Sequence, residues 1–259
     1  VQVEILTGIT PSPPAARMLR ALAIAMEAAG ETVKRTTAYA GQSPVLVLFG
    51  IGAAAHDEAR HQQLERGGRV VHFDLGYFGV RKHFLRTSID HDHPQHLIEQ
   101  TPADPARWDA HHIGLRHDAR ENGPILLIGL GRKSRQYLRL PTWERDTLRK
   151  IRQEFPRRQV IYRPKGHDGL DLHVPTDHAT PIAELLRGAS LVVCRHSNVA
   201  VDAAIAGVPF RAENGAAVWL QARDFTIANR LDFLRRLAHW QYNPTEAPEA
   251  WAFAKRMIG

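Results

Sequence analysis

Ser190–Ala212 reads SLVVCRHSNVAVDAAIAGVPFRA, and its punctuation decides the fold. The apolar run Leu191 to Cys194 predicts a buried strand, and Val199 to Ala206 predicts a helix of small residues. Gly207-Val208-Pro209 stops that helix, and Val208 to Ala212 forms a second strand. His196, Ser197 and Asn198 fall where the strand ends and the helix begins. An open α/β sheet places its ligand there, and the unbonded N–H groups of a helix start suit an anion. Asp202, on the helix's second turn, has the reach to meet a sugar hydroxyl of a nucleotide bound there. A plain αβ unit with a Ser/Asn cap satisfies the same pattern.

The same rhythm runs outward in both directions. Val3 to Thr7, Thr32 to Thr37, Val45 to Phe49 and Arg69 to Leu75 read as strands. Helices are expected over Ala15 to Ala29 and His56 to Arg66, each closed by glycine. From Gly79 to Gly123 the periodicity lapses into a long functional loop and connector, with one short strand over Phe84 to Ser88. A second series follows: strands at Ile125 to Leu130 and Val160 to Arg163, and helices at Trp143 to Phe155 and Pro181 to Gly188. Helix is expected again from Phe225 through Tyr242 and over Glu246 to Met257. Strands alternating with helices predict parallel sheets covered on both faces. The fold expected is α/β, two facing Rossmann-like domains with a cleft between them, over 1–115 and 116–224, followed by helices over 225–259.

The 259 residues carry 44% hydrophobic and 24% charged side chains, as in globular proteins. No apolar run approaches the roughly 20 residues that span a bilayer, so no membrane partner is expected. The N-terminus lacks the basic-then-apolar pattern of a secretory leader. Cys194 is the single cysteine, which excludes an internal disulfide and fits a reducing, cytoplasmic setting. It sits in an apolar strand, where burial is its expected role. A monomer is expected.

The formal charge of +7 and pI near 9.9 favour polyanionic partners. Basic residues cluster at 81–86, 132–135, 149–158 and 235–236. The 149–158 group reads as a solvated helix face, whereas the others fall at strand ends or loops. Arg81, Lys82, Arg86 and the Arg116–Arg120 region are candidate nucleic-acid phosphate contacts.

Three strand ends of the second half carry anion chemistry. Gly129-Leu130-Gly131-Arg132-Lys133-Ser134 joins two glycines, which admit close backbone approach, to two cations and a hydroxyl. Tyr162-Arg163-Pro164-Lys165-Gly166 sets Arg163 and Lys165 beside a stiff proline, placed for a diphosphate. His196-Ser197-Asn198 is the third. Together they predict a nucleotide-diphosphate site. In the first half Asp74 follows a strand, as either an active carboxylate or a turn former before Gly76. Asp90, Asp92 and His93 lie in the loop Ser88 to Pro94, whose composition suggests no packing role. His91, Asp92, His93 and His96, with His111 and His112, are also metal-ligand types, and they raise the rival of a metal-dependent hydrolase. No metal site is expected, because the His91–His93 run lies within one Pro-bounded loop. A redox dinucleotide enzyme is disfavoured, since Gly8-Ile9-Thr10-Pro11 stands where Gly-x-Gly-x-x-Gly belongs. Gly8 and Thr10 suit an acceptor contact instead.

Arg163-Pro164, His196-Ser197, Asp202 and Ala204-Ile205-Ala206-Gly207-Val208-Pro209 together resemble the donor domain of GT-B nucleotide-sugar glycosyltransferases. Tyr162-Arg163-Pro164 is similar to the capsule-polysaccharide transferases, many of which have His-Pro where this chain has Lys165-Gly166. That departure points away from a CMP-linked donor. Phe73-Asp74-Leu75-Gly76-Tyr77-Phe78, the Ser88 to Pro94 loop, Ser197 to Asp202 and the Arg230 to Trp251 tail resemble phage-encoded DNA (5-hydroxymethylpyrimidine) glycosyltransferase-like proteins. The resemblance implies a UDP-sugar such as UDP-glucose as co-substrate, no cofactor, and a host-cytoplasmic location. It implies that Arg163, Lys165 and the Ser197 helix start hold the diphosphate and that Asp202 meets the ribose. The base is implied among Asp74, Asp90 and His93, and the terminal helices cross back to the first domain. The implied acceptor is hydroxymethylcytosine in DNA. A surface-glycan transferase and a non-catalytic nucleotide- or DNA-binding module are the alternatives.

Overall fold

A computed structural model describes residues 1–7, 13–50, 54–166 and 169–259. The chain forms two compact units, residues 1–111 with 235–259, and residues 112–234. Residues 225–234 thus belong to the second unit, and only 235–259 to the first.

In the first unit β1 (Gln2–Leu6), α1 (Pro13–Ala28), β2 (Thr32–Thr36), β3 (Val45–Phe49), α2 (Ala54–Glu65) and β4 (Arg69–Leu75) alternate as their periodicity dictates. The chain then returns through β5 (Leu85–Ile89) and, after the short α3 (Pro105–Asp109), leaves for the second unit. The sheet order is β10-β5-β4-β3-β1-β2, where β10 is Gln241–Tyr242. β1 to β4 pair in parallel, whereas β5 runs antiparallel to β4. The first sheet is therefore mixed rather than purely parallel. Gln241 and Tyr242, expected as helix, form a strand instead. They pair with Arg86 and Leu85 and supply the hydrogen bonds that the edge of β5 lacks.

Alternation along β1 separates two apolar faces. Leu6 joins Leu46, Leu48, Ala59 and Val70 in one buried cluster, together with α2. Val3 and Ile5 point the other way and are fully buried, and α1 packs on β2 and on the terminal helix α10.

The second unit holds β6 (Ile125–Ile128), α4 (Arg132–Tyr137), α5 (Trp143–Glu154), β7 (Val160–Arg163), α6 (Ile182–Leu186), β8 (Leu191–Cys194), α7 (Val199–Ala206), β9 (Phe210–Ala212) and α8 (Val218–Gln221). Helix α9 (Ile227–Ala238) begins in this unit and ends in the first, followed by α10 (Ala247–Ile258). The sheet is wholly parallel in the order β7-β6-β8-β9. Its central strands β6 and β8 read as continuous apolar runs, as strands covered on both faces do. The buried cluster of Ile125, Leu127, Trp143, Leu148, Ile151, Val160 and Tyr162 ties α5 to β6 and β7.

Helix α7 ends at Gly207, whose φ of +76° suits a residue without Cβ. Arg230, only 2% exposed, lies over that end. Its Nε donates to Ala204 O at 2.6 Å, and Nη2 donates to Ile205 O at 3.0 Å and Arg116 O at 2.8 Å. The guanidinium thus satisfies carbonyls that a helix C-terminus leaves open, at the negative end of its dipole.

Candidate functional site

In the second unit, the connection after β6 leads to β7 on one side, while that after β8 leads to β9 on the other. β6 and β8 are neighbours, so their carboxyl ends mark the topological switch point where such sheets leave a crevice. The loops singled out from sequence follow β6, β7 and β8, and the fold brings all three to one sheet edge.

The β6 turn is rigid for identifiable reasons. A Cβ on Gly129 would stand 2.6 Å from Tyr162 Oη and 2.8 Å from its ring, so only glycine lets the turn cross the buried tyrosine. Gly129 N donates to Arg163 O at 2.8 Å, which couples the β6 and β7 turns. Glu144, fully buried on α5, accepts from Leu130 N at 3.0 Å and from Arg135 Nη1 at 2.8 Å. Arg135 also donates to Leu130 O at 2.8 Å. Sequence reading missed Glu144. An acid in the first turn of an amphipathic helix is the ordinary solution for a helix dipole, and nothing local shows that it faces inward.

The cations differ in availability. Arg132 and Lys133 are exposed on the first turn of α4. Lys165 is exposed after Pro164, and its Cδ lies 3.4 Å from the position of a Cβ on Gly131. Among the described residues none of these three is in an ion pair. Arg163 is differently placed. Its Nη1 donates to Asp177 Oδ1 at 2.7 Å and to Asp177 O at 3.1 Å, and Thr180 holds the same carboxylate through N and Oγ1. That ion pair offsets the charge expected to meet a diphosphate, so Arg163 organises the β7 loop.

At the β8 end, Ser197 Oγ accepts from Val199 N at 3.2 Å in the turn before α7, whose N-cap residue is Asn198. His196, Ser197, Asn198 and Asp202 are all partly exposed. Asp202 falls in the first turn of α7, one turn earlier than expected. Ser134 is part-exposed on α4. Cys194 is buried, and burial pushes its thiol pKa up to about 12, far from a nucleophile's range.

In the first unit the register sorts the predicted acids. Asp74 pairs across to Arg86, and Val71 pairs to Ile89, so Asp74 lies at the carboxyl end of β4 and Asp90 beyond its amino end. Asp90, in the left-handed region at φ +60°, accepts from Val70 N at 2.8 Å and pairs with Arg69 at 2.9 Å. It closes a turn away from the edge where an open sheet takes ligands, which corrects its grouping with Asp74.

Asp74 Oδ2 receives Arg86 Nη2 at 2.9 Å, and Oδ1 receives Leu75 N at 2.7 Å. Burial alone would raise its pKa, but the Arg86 charge and His72 hold the carboxyl below its ordinary value. Arg86, expected on a phosphate-binding surface, is only 5% exposed. Its strand lies inside the sheet between β4 and β10, so a residue that looked like part of a surface cluster is interior. Arg86 Nη1 also meets His93 Nδ1 at 3.0 Å. A guanidinium only donates, so Nδ1 accepts and His93 carries its proton on Nε2. Of the neighbouring basic residues, Lys82 is exposed and Arg81 is part-buried, donating to Tyr77 O at 2.9 Å. Gly8 and Thr10 lie outside the described residues.

Three histidines of the irregular segment are held in ring contacts, while His112 is exposed. His91 and His96 meet edge to face at 4.2 Å, and His111 packs edge-on against Phe78 at 4.7 Å and Phe84 at 5.2 Å. Among the described residues no group of three or more His, Cys, Asp and Glu is arranged to hold a metal ion.

His72 Nε2 meets Gly50 O at 2.8 Å and therefore donates, since a carbonyl only accepts. Burial depresses the pKa of His72, and also of His56 and His239. A depressed histidine binds fewer protons folded than unfolded, so its contribution to stability is complete above the unfolded value of about 6.5 and declines below it. The urea midpoint is expected to fall steadily from pH 7 to pH 5. A midpoint constant over that range would show that these imidazoles titrate as they do unfolded.

Two α/β units, each built on a core of parallel strands, are the architecture of a GT-B type fold. Solved structures agree. The chain is similar to the beta Kdo 2,7 transferase of Thermosulfurimonas dismutans KpsC, with 13% identity, TM-score 0.59, and coverage of 98% of this chain and 99% of that one. It is also similar to the beta Kdo 2,4 transferase of the same KpsC, with 12% identity, TM-score 0.53, and coverage of 93% and 92%. At such identity the likeness is one of fold. No protein-family model and no curated protein sequence matches the chain.

Proposed function

We propose that this protein transfers a sugar from a nucleotide-diphosphate donor to an acceptor hydroxyl. The observation that carries the reading is the set of cations Arg132, Lys133 and Lys165, in no ion pair among the described residues, beside the Gly131 backbone at the switch-point edge of the second sheet. Those cations, with the start of α7, neutralise the diphosphate as it leaves. Arg163 positions the loop that carries Lys165, and Asp202 contacts the ribose. The acceptor oxygen bonds to the anomeric carbon as the bond to the diphosphate breaks, and a base takes the acceptor proton. Of the acids expected in that role, Asp74 alone combines a carboxylate with the carboxyl edge of the first sheet.

The acceptor reading divides by observation. Similarity of fold to two Kdo transferases favours a glycan hydroxyl. The charge of +7 favours hydroxymethylcytosine in DNA, although the buried Arg86 is removed from any DNA-facing set.

Turnover with labelled UDP-sugars and a CMP-linked sugar, each offered to acidic oligosaccharides and to hydroxymethylcytosine duplex DNA, tests both. Lys165→Ala is expected to weaken nucleotide binding by roughly tenfold, the worth of one charge-assisted contact. Absence of both transfer and donor hydrolysis across the panel would overturn the enzyme reading. Nucleotide-dependent thermal stabilisation without turnover would assign a binding module.

A further inference from the structure

A cavity of about 510 Å³ opens in the first unit between α1 and the β1–β2 edge of the sheet. It falls in the size range of small-molecule sites. Ile5 and Leu19, both buried, form its apolar floor, and Thr7 lies at its upper end. Ala16, Arg17, Arg20 and Arg35 complete the lining.

Three arginines line this cavity for structural reasons. Arg17 and Arg20 are three apart on α1, so they share a helix face and repel one another. Arg35 pairs in register with Ile5 and so projects to the face of the sheet that α1 covers. Among the described residues Arg17 and Arg20 have no ion-pair partner. Arg35 meets only Glu27, at 3.6 Å, with both side chains about half exposed. Such a pair is worth little in water. Repulsion therefore remains at a concave site, toward the carboxyl ends of β1 and β2, where open α/β sheets take ligands.

We propose that this cavity binds a small phosphorylated ligand, with Arg17, Arg20 and Arg35 on the phosphate oxygens and the Ile5–Leu19 floor against the ligand's body. Guanidinium forks match phosphate oxygens two at a time, and a phosphate carries enough charge to relieve the three cations lining the cavity. The proposal is independent of sugar transfer. It concerns the first unit and is read by binding, not turnover.

Pyrophosphate titrated into the full chain at low salt, followed by amide NMR, tests it. Saturable shifts are expected at Thr7, Leu19 and Arg35, scored separately from Gly131 and Lys165, which report the other unit. Arg17→Gln/Arg20→Gln should weaken the first curve by roughly tenfold or more and leave the second unchanged. Both side chains are exposed, so the variant should keep the wild-type circular dichroism and melting temperature. Absence of saturation at Thr7, Leu19 and Arg35, or a wild-type curve in the double variant, would overturn the site. Tighter saturation by citrate than by pyrophosphate would reject phosphate in favour of carboxylates. Competition by duplex DNA but not by glucose 6-phosphate would reject a small ligand.

Discussion

Asp74→Ala is expected to destabilise the protein by roughly 3–5 kcal/mol, the cost of leaving a buried charge without its partner. Arg86 would keep its charge while only 5% exposed, with His93 Nδ1 accepting from it at 3.0 Å and the Tyr77 ring 5.1 Å away. The lower end of the range is favoured because the Asp92 charge also reaches Arg86. Removing both members as Asp74→Leu/Arg86→Met should recover much of the loss, since an apolar pair of similar volume carries no desolvation cost. Urea unfolding of the three chains decides the matter, and a single variant within 1 kcal/mol of wild type would show that the pair is solvated.

The same pair has an acid signature. The folded pKa of Asp74 lies below its ordinary value, so its contribution is present above the unfolded pKa of about 3.9 and is lost as pH falls through the folded one. This window lies below that of the histidines, which allows the two to be separated. The Asp74→Asn chain should lack the lower step and keep the upper.

Glu144→Ala carries the second large effect, again roughly 3–5 kcal/mol, because it removes the carboxylate that a largely buried arginine and a buried N–H share. Glu144 is fully buried and Arg135 is 12% exposed, and both hold Leu130 in the turn between β6 and α4. The consequence reaches beyond stability. With the Leu130 N–H released, the Gly129–Gly131 backbone loses its register against Lys165, and nucleotide affinity should fall along with the unfolding midpoint. Glu144→Gln keeps an acceptor for Leu130 N, so it should retain nucleotide binding better than alanine does at a comparable loss of the ion pair. Equal nucleotide affinity in wild type, Gln and Ala chains would separate the turn from the proposed donor site.

Much of the scaffold is legible in the chain itself. Apolar runs of four or five residues at Val45–Phe49, Ile125–Ile128 and Leu191–Cys194 become strands, because parallel strands covered on both faces need no polar alternation. Gly30, Gly67 and Gly207 end helices where they stand. The loops after β6, β7 and β8 share one edge as a direct consequence of parallel order. Function-bearing detail was less visible where partners are distant in sequence. Arg163 reads locally as an available cation, and only the fold brings Asp177, on the far side of an irregular loop, against it.

Local periodicity, glycine stops and apolar runs therefore determined the α/β class, most strand positions and the edge on which anion-compatible loops gather. These are short-range properties, set by backbone preference and by the need to bury one face. Only the tertiary structure decided that Arg86 is interior, that Asp74 and Asp90 occupy opposite ends of one ladder, that Gln241 is strand, and that Glu144 braces the β6 turn. Each depends on strand register or on a buried side chain meeting a distant partner. Register shifts by a single residue reverse which face is buried, so these outcomes follow from the assembled sheet.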